Sequence, residues 1–141
     1  MAFTGNYSCN TLRSGLVNGT INFSTGTFYM ALYTNLATFD AQTAAYTTDS
    51  EVTGGNYVAG GQVVTATIGT DATAFGSTTY INFSSPSWTG SITARGALIY
   101  QSGGGNPAVC VLDFGSNKTS SSTFTVQMPQ NTASSALIRL T

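Results

Sequence analysis

Glutamate and lysine occur once each in this chain, as Glu51 and Lys118. The exposed face of an amphipathic helix is normally built from both, because they keep rotamer freedom in a helix and pair at i,i+4. A chain this poor in them cannot clothe a set of surface helices. Its polar residues are instead 24 Thr, 16 Ser and 10 Asn, with 16 Gly; these small groups hydrogen-bond to local backbone and favour strands, turns and loops. Apolar residues make up 41% of the 141 positions, enough for one core, so residues 1–141 read as a single β domain.

Periodicity supports the same expectation. One short helix is predicted near Asn10–Val17, with Asn10 or Thr11 as cap, Leu12 and Leu16 on one face and Asn18-Gly19 as the stop. Thr27–Thr34 alternates with aromatics on both sides, as a strand covered on two faces would. Asn35–Ser50 reads as a long loop pinned by Leu36, Phe39 and Tyr46. Paired glycines at 54–55 and 60–61 mark sharp corners before a strand at Gln62–Ile68, and a half-buried strand follows at Thr78–Ser84. Ser91–Gln101 and Pro107–Phe114 flank Ser102-Gly103-Gly104-Gly105-Asn106, the strongest hairpin signal in the chain. Ser122–Met128 and Ser135–Thr141 complete the set, each with one apolar face. About seven or eight strands with glycine-rich turns give an all-β expectation, an antiparallel β-sandwich or small barrel.

Charge and composition narrow the chemistry. There is no histidine, which removes the Ser-His-Asp and Cys-His schemes and the ordinary zinc sites. Four cations, Arg13, Arg95, Lys118 and Arg139, are scattered through a chain of net charge −1, a poor footprint for nucleic acid. Residues 1–10 lack the basic-then-apolar pattern of a signal peptide, and no run is long enough for a membrane helix; a cytoplasmically made, soluble protein with Cys9 and Cys110 as free thiols is expected. Asp40, Asp49 and Glu51 could gather around Ca²⁺, but they lack calcium-loop spacing and read as solvated loop acids. Gly103-Gly104-Gly105 is a hairpin tip and no phosphate cradle, since a strand follows it and no helix. Arg95 and Asp113, on neighbouring strands, are expected to form a register-fixing ion pair; the alternative is that one reaches across a subunit interface. Trp88 with Tyr29, Tyr33, Tyr46, Tyr57, Tyr80 and Tyr100 supplies core, interface anchors or a stacking surface for sugar. No catalytic, cofactor-binding or metal residue is assigned, and no cofactor is expected.

Five segments, FYMALYT at 28–34, EVTGGNYVAGG at 51–61, ARGALIY at 94–100, VLDFGSNKT at 111–119 and ALIRL at 136–140, resemble the small virion structural proteins of tailed bacteriophages, a group of head decoration (cement) and tail-fibre-like proteins. The resemblance implies a non-enzymatic virion component, made in the host bacterial cytoplasm and assembled in many copies. The leading expectation is a capsid decoration protein whose partners are the major capsid protein and other copies of itself, with neither nucleic acid nor membrane bound. The alternative is a tail-tip or fibre module that recognises a host surface glycan through exposed aromatics, and a third reading is a cell-wall or capsule hydrolase.

Overall fold

The computed structural model describes residues 3–73 and 76–141. The chain runs β1 (Tyr7–Ser8), α1 (Asn10–Asn18), β2 (Phe28–Tyr33), β3 (Gln62–Val64), β4 (Ala66–Thr70), β5 (Thr79–Phe83), β6 (Ser87–Thr89), β7 (Ile92–Gln101), β8 (Ala108–Ser120), β9 (Thr123–Thr125) and β10 (Ile138–Leu140). Strands form a five-stranded sheet in the order β1-β8-β7-β2-β3, a three-stranded sheet β10-β5-β4 and a two-stranded sheet β6-β9. Every pairing is antiparallel. Among the described residues none of the three sheets closes on itself, and the fold is mainly β with one short helix, in line with the scarcity of Glu and Lys.

The large sheet is buried on both faces. Along β2, Phe28, Met30 and Leu32 enter one apolar cluster, with Ile99, Val109 and Leu112 beside them; Ala31 and Tyr33 enter a second, with Leu98 and Val111. Alternation along a strand sends successive side chains to opposite faces, and here both faces are apolar. The first face is covered by Leu12 of α1 and by Ile81, Phe83, Trp88 and Phe124 from the two smaller sheets. The second is covered by Phe3, Cys9, Ala37 and Phe39, that is, by the N-terminal segment and the loop after β2. Irregular chain thus takes the place of a layer of regular structure on that face.

Most of the expected elements form where the pattern puts them. The helix ends at Gly19, whose left-handed backbone (φ 83°) suits glycine. Its N-cap is Cys9, without a side-chain cap bond; neither Asn10 nor Thr11 caps it, and Thr11 Oγ1 instead donates to the Ala108 carbonyl at 2.6 Å. The hairpin turns through Gly103, Gly104, Gly105 and Asn106, all at positive φ, with Asn106 Oδ1 accepting from the Gly103 N–H at 2.8 Å. β8 continues to Ser120, well past the expected end at Phe114.

Three local expectations are corrected. Gln62–Ile68 is two strands, because Thr65 carries the chain from the edge of the large sheet to the three-stranded sheet. Leu36 does not pin its loop and is 74% exposed, whereas Phe39 is buried and Tyr46 half-buried against the second cluster. The last strand, expected over Ser135–Thr141, is only Ile138–Leu140; Ala136 just before it and Ile138 are buried but Leu140 is exposed, so the apolar face stops short. β1 and β6 were not legible as strands.

Candidate functional site

The densest polar constellation lies where the segment 45–61 meets the edge of the large sheet. β2 pairs with β3 only from Phe28 to Met30, so the edge of β2 beyond Met30 needs other partners. Val52 N–H donates to the Leu32 carbonyl at 2.9 Å, and the Leu32 N–H donates to the Tyr57 hydroxyl at 3.0 Å. One backbone group and one side chain thereby complete the strand edge, and a bridge between Tyr33 and Glu51 aligns the segment with it.

Glu51 is half-buried at the centre. Its Oε1 accepts from the Tyr46 hydroxyl at 2.7 Å; its Oε2 accepts from the Tyr57 hydroxyl and from the Gly60 N–H, the latter at 2.8 Å. Both carboxylate oxygens are therefore engaged, and a charge held by three donors is stabilised in a way that an unpaired buried carboxylate is not. The reading of Glu51 as a solvated loop acid is overturned: its neighbours Val52, Tyr57 and Gly60 fold back over it. Asp40 and Asp49 are exposed, as read, and Asp40 Oδ1 accepts from the Gln42 N–H at 2.8 Å within its own turn. The three acids do not converge; among the described residues no group of three or more potential metal ligands comes together.

Tyrosines enclose the carboxylate. Tyr100 is stacked between Tyr46 (ring centroids 4.7 Å) and Tyr29 (5.8 Å), and its hydroxyl donates to the Gly60 carbonyl at 2.7 Å. Tyr33, fully buried, donates to the Thr47 carbonyl at 2.7 Å. Burial, with the Glu51 charge nearby, pushes the Tyr100 phenol up to about 12. Burial and then the Glu51 carboxylate raise Tyr33, Tyr46 and Tyr57 still further above the usual phenol range. Phenolate formation beside a carboxylate is unfavourable, so the hydroxyls stay protonated, those of Tyr46 and Tyr57 donating to Glu51 and those of Tyr33 and Tyr100 to backbone carbonyls. The cluster is built to hold a shape, and it carries outward a loop whose Asn56, Val58 and Ala59 are exposed.

Arg95 and Asp113 form the expected internal ion pair, with side chains 15% and 13% exposed. It sits where the β7–β8 register jumps, from Ala94 opposite Lys118 to Gly96 opposite Asp113. Asp113 Oδ1 also accepts from the Gly115 N–H at 2.8 Å, closing the bulge. Cys9 and Cys110 are free and buried; burial pushes the Cys9 thiol up to about 11 and raises Cys110 further, which favours the protonated thiol in both. Of the aromatics, Trp88, Tyr33 and Tyr100 are core, while Tyr29, Tyr46, Tyr57 and Tyr80 keep partial exposure. A groove of about 760 Å³ between α1, β1 and β10 carries Arg13 and Arg139.

Comparison with known proteins gives no match: no family model, no curated protein and no solved structure is significantly similar to this chain. Function is then a matter of what the geometry can do. The Glu51 cluster was missed by sequence reading because its donors, Tyr46, Tyr57 and Gly60, lie within ten residues of the acid in a segment without periodicity. The one available signal was the lone Glu of the chain, set five residues after a Tyr and six before another.

Proposed function

We propose that this protein is a non-enzymatic structural component of a tailed-bacteriophage particle, acting as a capsid decoration protein that binds the major capsid protein and braces the shell. The observation that carries the non-enzymatic part is Glu51: both oxygens of the best-placed carboxylate are consumed by donors that hold a loop, and the tyrosines around it are tuned to stay protonated. The virion part is supported by the resemblance described above. The resembling segments coincide with β2, the Glu51 loop, β7, β8 and β10, so the likeness is one of framework. The smaller sheets against one face of the large one are read as a sandwich-like arrangement within one domain.

The decisive experiment is localisation and counting by cryo-electron microscopy and quantitative mass spectrometry of particles that carry the chain. Copies on the shell in numbers set by the capsid lattice are expected; a few copies confined to the tail tip, or none in the particle, defeat the reading. The half-exposed Tyr29 and Tyr46, stacked about Tyr100, favour one second reading, a host-glycan-binding tail module. Binding of purified protein to host cells that is lost on Tyr29→Ala would select it.

A further inference from the structure

The open edge of the three-stranded sheet carries a self-complementary pattern. β4 pairs with β5 on one side only. Two bonds just beyond its ends fix which of its backbone groups face β5: Ser84 N–H donates to the Thr65 carbonyl at 3.0 Å, and Asp71 N–H donates to the Thr78 carbonyl at 2.8 Å, in the same register as the strand itself. In an antiparallel ladder hydrogen-bonded positions alternate. Thr65, Thr67, Gly69 and Asp71 therefore point their N–H and C=O groups at β5, and Ala66, Ile68 and Thr70 point theirs away. Among the described residues nothing bonds to those outward groups.

Exposed edges are normally guarded by shortness, charge, proline or a bulge. The other edge strands, β1, β3, β6, β9 and β10, have two or three residues, and β10 carries Arg139. β4 has five residues, ATIGT, with no charge and no proline. On its face, cross-strand pairing sets Ile138 opposite Ile81 and Ile81 opposite Ile68, a row of isoleucines running across the sheet. Ile138 and Ile81 are buried, at 8% and 2%, but the row ends at Ile68 with 46% of its surface exposed.

We propose that β4 pairs antiparallel with β4 of a second copy across a two-fold axis at Ile68, giving one six-stranded sheet in the order β10-β5-β4-β4-β5-β10. Centred there, Ile68 faces Ile68 of the second copy and Ala66 faces its Thr70, so every outward N–H meets an outward C=O. Directly opposed residues of an antiparallel pair share a face, so the isoleucine row continues from Ile68 of one copy into Ile68 of the other and its exposed end is covered. The contact is isologous and closes at two copies. A register shifted by one residue would oppose groups already used by β5 and would leave both Ile68 side chains in water. Uncharged strands bring no repulsion to the pairing. This dimer stands whether or not the chain belongs to a virion.

The test is sedimentation velocity of the full chain from about 10 μM to about 1 mM, a range that brackets a weak strand-pairing equilibrium. The wild type is expected to double in mass with concentration. Ile68→Lys, which sets two ammonium groups against each other on the axis, is expected to stay monomeric with an unchanged circular dichroism spectrum. Ile68→Cys is expected to give a disulfide-linked dimer under mild oxidation at least about tenfold faster than Val17→Cys, whose site is 89% exposed and far from β4 in sequence; opposed Cα atoms of such a pair lie within disulfide range. A wild type that stays monomeric throughout, a dimer that survives Ile68→Lys, or I68C cross-linking no faster than V17C overturns the proposal. The cysteine comparison decides the matter if the lysine variant does not fold.

Discussion

Replacing Glu51 with alanine removes the acceptor for three donors at once, and the donors do not suffer equally. Tyr46 is half-exposed and can turn its hydroxyl to water. The Gly60 N–H and the Tyr57 O–H are enclosed by the loop that Glu51 holds, so these two donors are left without an acceptor. Hydrogen bonds to a charged group contribute about 1.5–3 kcal/mol each; counting two, and allowing for the desolvation cost of the carboxylate that disappears with it, the net loss is about 3 kcal/mol. That is a large share of a domain stability of about 5–15 kcal/mol. Glu51→Gln should cost about 1 kcal/mol, because its amide oxygen can take the Oε2 position while its NH₂ donates to the Tyr46 oxygen. Tyr57→Phe should cost more than Tyr46→Phe, since only the Tyr57 hydroxyl also accepts the Leu32 N–H at the unfinished edge of β2. Denaturant unfolding gives the order, and amide exchange at Gly60 gives the local readout: its protection should collapse in the alanine variant. A Glu51→Ala variant that loses less than about 0.5 kcal/mol, the size of an ordinary surface change, with Gly60 still protected, would refute the assignment of the carboxylate as the anchor of this loop.

Four further outcomes are expected. Because Tyr33, Tyr46, Tyr57 and Tyr100 all have phenol pKa values raised above 10.0, their contribution is fully present below pH 10 and is lost as the pH climbs toward and past about 12; the denaturation midpoint should fall steadily over that window, and a midpoint constant to pH 12 contradicts the cluster. Gly61→Ala should abolish folding, since its added Cβ would sit 1.8 Å from the Met30 carbonyl oxygen at a φ of +82°; soluble, cooperatively unfolding protein from this variant would show that the contact is not there. Asp113→Ala leaves Arg95 unpaired and opens the β8 bulge, with an expected loss of about 2–4 kcal/mol and new amide exchange at Gly115; full retention of stability counts against an internal pair. Deleting residues 136–141 strips Ala136 and Ile138 from the core and uncovers β5, so the shortened chain should expose apolar surface to a fluorescent dye, whereas a native-like melt would mean that β10 is dispensable.

Where a segment keeps the period of a strand or, at Leu12 and Leu16, of a helix, physics leaves little choice, and β2, β5, β7, β8 and α1 could be placed from the sequence. Two-sided burial of β2 was equally readable, since Phe28, Met30 and Leu32 alternate with Tyr29, Ala31 and Tyr33. Two of the failures depend on partners distant in the chain, and the third lies in a local segment without periodicity. Trp88 sits in a three-residue strand that exists because Phe124 pairs with it. The break at Thr65 exists because the two sheets stand at different places around the first cluster. Glu51 reads as a loop acid until the fold brings Tyr57 and Gly60 onto it. Arg95 and Asp113 were legible for the opposite reason, lying on adjacent strands of a hairpin whose turn announces itself in glycine.

A sheet with apolar clusters on both faces ties the two halves of the interior together mechanically. Withdrawing either cover, the helix with its small sheets or the long loop with its N-terminal flap, would leave one face of β2, β7 and β8 in water, so neither half has an independent melting transition available to it. Amides along the middle of β7 should therefore exchange only when the whole chain opens, and a lesion on one side of the sheet should be felt at once by residues on the other.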